Sequence, residues 1–250
     1  TRPMADMGTA IPAAVIEVLR DAKNVLVLTG AGVSAESGVP TFREAQKGLW
    51  AEFNPQELAT PEAFLHDPAL VWRWYRWRRK LVAEAKPNPG HFALATLENQ
   101  VPEMTLITQN VDGLHQRGGS RNVTEFHGNL FTTRCFAEDT LEEDDPNSAD
   151  PRCNRCGGHL RPGVVWFGEA IPKAALKVAT EAADECDVFL SIGTSSLVWP
   201  AAGLVESAAQ RGATIIEINI HPTPLSSHCD FALQGASGEI LPELVRRLAV

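Results

Sequence analysis

A glycine-rich turn near the start of the chain has the residue types and spacing to bind a phosphate group. Gly30, Gly32 and Ala35 follow the short apolar run 25–28 and give a Gly-x-Gly-x-x-Ala spacing. The apolar run predicts a buried parallel strand, and glycines after such a strand let the backbone turn sharply and approach a ligand closely. Backbone N–H groups at the start of the next helix can then hold a pyrophosphate, which indicates dinucleotide binding. The alternative for so short a motif is a tight turn without a ligand.

The residues after this turn depart from a simple dinucleotide-binding unit. Gly38 and Pro40 predict an early end to the helix, and Arg43 then falls on a loop. The stretch up to about Trp50 has no strand pattern, whereas a plain unit has a second strand that ends in an acidic residue. A loop that brings a charged side chain near the phosphates favours chemistry on the dinucleotide itself over hydride transfer.

Two polar clusters follow other predicted strands. Residues 108–115 come after the apolar run 104–107, and residues 125–128 end a further strand-like run. Open α/β folds bind ligands at the carboxyl edge of the sheet, where such side chains would lie. Amides and carboxylates there can bind a ribose, an amide or a water, and His127 can act as a general base near neutral pH. The alternatives are polar residues that cap the next helix and a structural histidine.

Together these motifs resemble the sirtuin family. The matching segments occur in the family's order, from about residue 12 to the C-terminus, and several long motifs in register are far more specific than one glycine pattern. Sirtuins are NAD-dependent protein-lysine deacylases, and the resemblance implies this activity, with release of nicotinamide and transfer of the acyl group to ADP-ribose. The segments are GAGVSAESGVPTFR (30–43), TQNVDGLHQRGG (108–119), EFHG (125–128), VVWFGE (164–169), IGTSS (192–196) and EIN (217–219).

The resemblance also implies a role for individual residues. His127 would be the general base that acts on a ribose hydroxyl. A strand at 164–169 would pair with the backbone of acylated-lysine protein substrates, although a plain edge strand is the alternative; its substrate-binding residues would be Val164, Val165, Phe167, Gly168 and Glu169. The NAD site would comprise Gly30, Ala31, Gly32, Ser34, Phe42, Arg43, Trp50, Gln109, Asn110, Asp112, Gly193, Thr194, Ser195, Asn219 and Ser237.

The predicted helix around residues 72–80 contains the residues that indicate the kind of substrate. Tyr75 and Arg78 are three positions apart and share one helix face, and a phenol beside a guanidinium can bind a carboxylate. The alternative is a solvated basic face above packed tryptophans. In the sirtuin subgroup that removes succinyl and malonyl groups, class III, this Tyr-x-x-Arg pair occurs at this place, and a small residue matching Ala59 widens the acyl pocket. The resemblance therefore implies removal of succinyl, malonyl and acetyl groups.

The cysteines depart from the family pattern, in which two Cys-x-x-Cys pairs hold one structural zinc. Cys153 and Cys156 form one intact pair, but Cys135 stands alone, with an acidic residue three positions on. A closed zinc site needs four ligands, and three thiolates remain. A metal-free module held by its own packing is the alternative. The candidates for a fourth ligand are Glu138, Asp139 and His159.

Composition limits the class of protein. A chain of 250 residues with 44% hydrophobic and 21% charged residues is typical of a soluble globular protein with one large core and a smaller module. The net charge of −9 argues against direct nucleic-acid binding, and no apolar run reaches membrane-spanning length. Five cysteines, an odd number, do not suggest a disulfide framework, so we expect a cytoplasmic protein. We also expect a monomer.

Alternating strand and helix patterns predict an α/β fold. The expected architecture is a Rossmann-like doubly wound parallel sheet with a smaller inserted zinc-ribbon or helical module. The predicted strands are 25–28, 104–108, 122–126, 187–192 and 214–219. The expected modules are a discontinuous NAD-binding domain (11–45, 89–131 and 164–250), a helical module (46–88) and a small zinc-binding-type module (132–163).

Two other functions use the same features. An NAD-dependent protein ADP-ribosyltransferase would share the NAD site but leave labelled ADP-ribose covalently on protein. A non-catalytic NAD-binding regulator would not need a general base, and the presence of His127 argues against it.

Overall fold

A parallel sheet of six strands is the largest element of the computed structural model, which describes residues 11–40 and 58–250. The predictions for Phe42, Arg43 and Trp50 lie outside the described residues. The strands of the protein are β1 (Asn24–Thr29), β2 (Glu103–Thr108), β3 (Val123–Glu125), β4 (Gly128–Cys135), β5 (Leu141–Glu142), β6 (Leu160–Val164), β7 (Val188–Ile192), β8 (Thr214–Asn219) and β9 (Phe231–Gln234). The five predicted strands are all present within one or two residues of their expected ends, and in the large sheet β9 was not predicted.

The helices alternate with these strands. They are α1 (Ala13–Asp21), α2 (Ala31–Ala35), α3 (Pro61–His66), α4 (Pro68–Glu84), α5 (Pro89–Gln100), α6 (Leu114–Arg117), α7 (Lys173–Glu185), α8 (Ala201–Gln210) and α9 (Ser237–Leu248), with a 3₁₀ turn at Pro224–Ser227. As predicted, α2 ends early, and Gly38 beyond it has a left-handed φ of +76°. At the start of α4, the Asp67 carboxylate accepts a hydrogen bond from the backbone N–H of Leu70. None of the described helices combines the length and apolarity needed to cross a membrane.

Both faces of the large sheet are covered by helices. Val25 and Val27 of β1 pack into a core with α1, α5 and α9, whereas Leu26 and Leu28 pack on the other face with α7 and α8. This alternation follows from the two-residue period of a strand, and burial on both faces explains why the predicted strands are apolar throughout. The prediction of a doubly wound α/β fold is confirmed.

The strand order β3-β2-β1-β7-β8-β9 places the two halves of the sheet on either side of the β1–β7 pair. In the parallel register, Thr29 at the end of β1 lies beside Ile192 at the end of β7 and Thr108 at the end of β2. The strand order reverses at this pair, because β2 and β3 are added on one side of β1 and β8 and β9 on the far side of β7. The crevice at the carboxyl end of such a pair is the place where these sheets bind ligands.

A smaller unit contains an antiparallel sheet of order β5-β4-β6. Helices α3 and α4 share one hydrophobic core with this sheet, built around Phe64, Trp72 and Leu160. The indole Nε1 of Trp72 donates to the Leu160 carbonyl (2.9 Å), and the Arg79 guanidinium donates to the Leu130 carbonyl (2.6 Å). The basic face of α4 is therefore only partly solvated. The expected division of the chain into three modules stays a prediction.

Candidate functional site

A cavity of about 830 Å³ opens between the carboxyl edge of the large sheet and the smaller unit. Most of the predicted site residues meet there. The predicted residues that line it are Gly30, Ala31, Gly32, Ser34, Ala59, Tyr75, Arg78, Gln109, Asn110, Asp112, His127, Val164, Val165, Phe167, Gly168, Glu169, Gly193, Thr194 and Ser195. This volume and mixed lining are those of a pocket for a small molecule or cosubstrate.

Two predicted NAD-binding residues lie outside the lining of this cavity. Asn219 ends β8, and its amide donates to the carbonyl of Thr194 (2.8 Å). Ser237 begins α9, and its hydroxyl donates to the carboxylate of Glu36 (3.4 Å). Asn219 thus supports a residue of the cavity wall, and a direct contact of either side chain with NAD stays a prediction.

The glycine turn brings two strand ends into backbone contact. The N–H of Gly30 donates to the Ile192 carbonyl (3.0 Å), and the N–H of Gly32 donates to the Gly193 carbonyl (2.8 Å). A Cβ on Gly32 would lie 2.8 Å from the Cα of Gly193, closer than real Cβ atoms approach. The glycines are therefore required by this close approach. The N–H groups of Gly30 and Gly32 bond within the protein, the turn lines the cavity, and the binding of a phosphate by this turn stays a prediction.

A buried polar network lies under the turn. The Ser34 hydroxyl donates to Asp112 Oδ2 (2.7 Å), and the Asn110 amide donates to the Gly30 carbonyl (3.0 Å) and to Ser34 Oγ (3.2 Å). Asp112 Oδ1 accepts from the N–H of Leu114 at the start of α6 (2.9 Å). The alternative that this cluster supports the next helix is observed for Asp112, which also lines the cavity; its contact with a ligand stays a prediction.

His127 lies between β3 and β4, and a hydrogen bond fixes one of its ring nitrogens. Its Nδ1 is 3.1 Å from the Gln109 carbonyl oxygen, which can only accept, so Nδ1 carries the proton and Nε2 has the free lone pair. Burial lowers the pKa of His127 below its ordinary value of 6.5, and the hydrogen bond to Gln109 opposes this only in part. The imidazole is therefore a neutral base at pH 7.

Tyr75 and Arg78 lie together on the wall that the smaller unit supplies. Burial raises the pKa of Tyr75 to about 12, with Arg78 acting in the opposite direction, so the phenol is neutral at physiological pH. The Tyr75 oxygen accepts a hydrogen bond from Nε1 of Trp166 (2.9 Å). Burial lowers the pKa of Arg78, whereas Tyr75 and Asp112 raise it, and its guanidinium stacks 5.0 Å from the Trp74 ring centre. The predicted pair is thus brought together at the cavity.

The segment 164–169 is only partly a strand. β6 ends at Val164, and the N–H of Glu169 donates to the Trp166 carbonyl (3.1 Å) in a turn where Gly168 has φ +84°. The N–H of Val165 donates to the His127 carbonyl (2.8 Å), and the N–H of Phe167 donates to the Ala59 carbonyl (3.0 Å). A continuous strand over 164–169 is therefore not observed, and pairing of this segment with a peptide stays a prediction.

Several residues of the cavity wall were not predicted. Most are apolar, and an apolar side chain has no spacing signal that separates a cavity wall from a core. Trp166 was missed although it falls inside a quoted motif; an indole N–H among apolar neighbours was the signal that could have found it. These residues are Val39, Pro40, Val82, Val111, Trp166, Ala170, Ile171, Leu176, Val198, Trp199 and Pro200.

Four side chains of the smaller unit fit a tetrahedral metal ion. The ligand atoms of Cys135, Glu138, Cys153 and Cys156 all lie within 4.8 Å of one another, and the sulfurs of Cys135 and Cys156 are 3.5 Å apart. Zinc–sulfur bonds of about 2.3 Å give a tetrahedral edge of about 3.8 Å, so this arrangement suits zinc in a structural role. Backbone N–H groups of Cys156 and Arg155 also lower the pKa of Cys153, which favours its thiolate.

The other two candidates for the fourth ligand are engaged elsewhere. Asp139 pairs with Arg134 (2.7 Å), and His159 Nδ1 pairs with Asp150 (2.7 Å). Glu138 is also paired, with Arg155 (2.5 Å), but it is the candidate whose carboxylate lies within 4.8 Å of the three sulfurs, so we predict that it is the fourth ligand.

Comparison with known proteins agrees with this architecture. The Sir2 family model matches residues 30–200. An NAD-dependent protein deacylase of Methylococcus capsulatus is 50% identical over 240 residues, which cover 92% of this chain and 94% of that protein. The chain therefore belongs to the Sir2 family.

Solved structures of the same family superpose over almost the whole chain. A Sir2 homolog in complex with NAD has a TM-score of 0.91 at 46% identity and covers 97% of this chain and 95% of its own. A Sir2 mutant in complex with 2'-O-acetyl ADP ribose has a TM-score of 0.89 at 46% identity, with 96% and 97% covered. Sir2 bound to an acetylated peptide has a TM-score of 0.84 at 27% identity, with 94% and 97% covered.

Acid should destabilise the fold through a buried histidine. His115 Nε2 is 2.9 Å from the Thr29 hydroxyl, its ring lies 4.9 Å from that of His91, and its Nδ1 has no partner among the described residues. Burial lowers the pKa of His115 to about 3. The unfolded chain then binds a proton that the folded chain does not, so stability falls as pH drops from 6.5 towards 3, by about 1.4 kcal/mol per pH unit. In urea titrations, His115→Gln should have a shallower loss of stability between pH 7 and 5, and an unchanged slope would contradict this.

We predict that zinc is held less firmly than by four cysteines, because a carboxylate shared with Arg155 replaces one thiolate. Zinc release to a chelator, followed with a colorimetric indicator and elemental analysis, should be faster for the native chain than for Glu138→Cys. Glu138→Ala should lose zinc fastest of the three. Equal release rates for all three proteins would show that Glu138 is not a ligand.

Proposed function

We propose that this protein is an NAD-dependent protein-lysine deacylase that removes succinyl and malonyl groups as well as acetyl groups. The observation that carries the acidic-acyl part is the Tyr75–Arg78 pair, which lies on the wall of the same cavity that His127 lines. The deacylase activity itself is that of the family, and relatives about half identical to this chain are named NAD-dependent protein deacylases.

The crevice beyond β1 and β7 is the proposed NAD site. A family structure at 46% identity holds NAD, and this chain has the same fold over 97% of its length. NAD supplies the leaving nicotinamide and the ribose that receives the acyl group. Ser34, Asn110 and Asp112 are tied together by hydrogen bonds and line the cavity, so their polar atoms are fixed before a ligand arrives.

His127 is proposed to take the proton of a ribose hydroxyl. The bond from Nδ1 to the Gln109 carbonyl fixes the ring and leaves Nε2 as the acceptor. The lowered pKa keeps the ring neutral at pH 7, which is the form that a general base requires. Removal of this proton makes the hydroxyl oxygen a nucleophile towards the acyl carbon.

The acyl selectivity is proposed to come from the wall formed by α4. A carboxylate at the end of the acyl chain would accept hydrogen bonds from the Tyr75 hydroxyl and the Arg78 guanidinium. It would favour the charged form of Arg78 against burial, as Asp112 already does. Ala59 is buried on the same wall and adds only a methyl group, which leaves volume for the longer acyl chain.

The macromolecular partner in this proposal is a protein that bears acylated lysine. A family structure holds an acetylated peptide, and the segment 164–169 lines the cavity here. A cytoplasmic, monomeric protein without direct nucleic-acid binding is part of the same proposal. An ADP-ribosyltransferase would instead leave label from NAD on protein, and mass analysis of products separates the two.

Replacement of the general base should abolish most turnover. His127→Ala should lower kcat by about 10²–10⁴-fold, the usual contribution of a general base, while the far-UV circular dichroism stays that of the native chain. The native acid limb of kcat/KM should lie below pH 6.5 because burial lowers the pKa of His127. An acid limb above that value, or a variant with native turnover, would contradict the assignment.

Loss of the guanidinium should change which acyl group is preferred. Arg78→Met should lower kcat/KM on a succinyl-lysine peptide by the equivalent of about 2–4 kcal/mol of transition-state binding, the range for loss of one partner of a buried charged pair. The ratio of kcat/KM on succinyl-lysine to that on acetyl-lysine peptide should therefore fall steeply. Arg76→Met is the matched control, because Arg76 lies on the same helix, stacks on Trp72 and does not line the cavity. If Arg78→Met lowers both activities equally, the acidic-acyl proposal is wrong.

A further inference from the structure

Trp166 is a buried residue of the cavity lining that is hydrogen-bonded to Tyr75, on the wall formed by α4. Its side chain is only 2% exposed and packs against Phe64, with ring centres 5.2 Å apart. Its neighbours in sequence are fixed by main-chain hydrogen bonds, Val165 to His127 and Phe167 to Ala59. The main chain on either side of Trp166 is thus tied to the proposed base and to Ala59.

A cation and a carboxylate fix the orientation of this indole. The Arg161 guanidinium lies 3.6 Å from the Trp166 ring centre and pairs with both oxygens of Glu169. Glu169 also accepts from the backbone N–H of Trp166 (2.7 Å). The guanidinium of Arg161 therefore stacks on the indole ring, and Glu169 binds both Arg161 and the main chain of Trp166. These contacts leave the indole little freedom to rotate.

The hydrogen bond between Trp166 and Tyr75 has a defined direction. An indole N–H can only donate, so at 2.9 Å the Tyr75 oxygen must be the acceptor. Arg78 also hydrogen-bonds Tyr75, and a guanidinium can only donate as well. Neither neighbour can accept the Tyr75 hydroxyl hydrogen, which is left for another acceptor. Tyr75 lines the cavity, and the phenol keeps its proton at neutral pH.

We propose that Trp166 is a positioning residue that aims the Tyr75 hydroxyl at the carboxylate of a succinyl or malonyl group. This inference rests on the proposed function. It adds a selectivity determinant that does not need to touch the acyl chain, because Trp166, in the segment after β6, hydrogen-bonds the donor on α4.

The test is removal of the indole N–H with the ring volume largely kept. Trp166→Phe should lower the succinyl-to-acetyl ratio of kcat/KM by about tenfold, as expected when one neutral hydrogen bond is misdirected. Tyr75→Phe should lower the ratio by a similar factor. In the double variant, the second change should add no more than about twofold, because both act through the same hydroxyl.

The matched control is Trp72→Phe. Trp72 is also buried, lies on α4 with Tyr75, and donates its Nε1 to a carbonyl, that of Leu160 (2.9 Å), but it does not line the cavity. This change should lower the melting temperature and leave the ratio unchanged. If Trp166→Phe does not fold, 3-benzothienylalanine at position 166 keeps the bicyclic ring and replaces the N–H with sulfur.

The outcomes separate this inference from the proposed function. A fall in the ratio for Trp166→Phe with little further effect in the Tyr75→Phe background supports it. Equal losses on both peptides, or full additivity with Tyr75→Phe, overturn it and leave Trp166 a structural residue. If Arg78→Met and Tyr75→Phe both leave the ratio unchanged, the acidic-acyl proposal itself fails.

Discussion

The site depends on one backbone contact, where the turn after β1 meets the end of β7. A side chain on Gly32 or Gly193 would collide with the opposite backbone, so these two strand ends can approach this closely only with glycine at both positions. Thr194 follows directly and receives the Gln109 amide on its hydroxyl (2.9 Å) and the Asn219 amide on its carbonyl (2.8 Å). The ends of four parallel strands are thereby joined at one point, which gives the polar groups of the crevice their fixed positions.

The cavity combines two units that contribute different chemistry. The large sheet supplies the polar network of Ser34 and Asp112 and the imidazole of His127, whereas the smaller unit supplies the wall of Tyr75 and Arg78. The segment after β6 is joined by main-chain hydrogen bonds to His127 on one side and to Ala59 on the other. Since a preorganised site requires fixed distances between its parts, this segment matters for the geometry as much as the side chains do.

The sequence was sufficient for five of the six strands of the large sheet and for the polar residues that follow them. Apolar runs bounded by glycine and polar residues define both, and the parallel arrangement then brings those residues to one edge. β9 was not predicted because it has only four residues, of which only Leu233 is buried, so its sequence has no clear apolar run. The bonding of the Gly30 and Gly32 N–H groups and the contact between Trp166 and Tyr75 could not be predicted, because they join segments more than 90 positions apart and no local period encodes such pairs.

Tyr75 is the single tyrosine of the chain, and it lies on the wall of the cavity. Any spectroscopic signal specific to tyrosine therefore originates at one known place. A fluorine-labelled tyrosine incorporated during expression would give one resonance, which needs no assignment and is sensitive to the charge and hydration of its surroundings. The protein thus carries a built-in reporter of the state of this cavity wall, readable without altering a second residue.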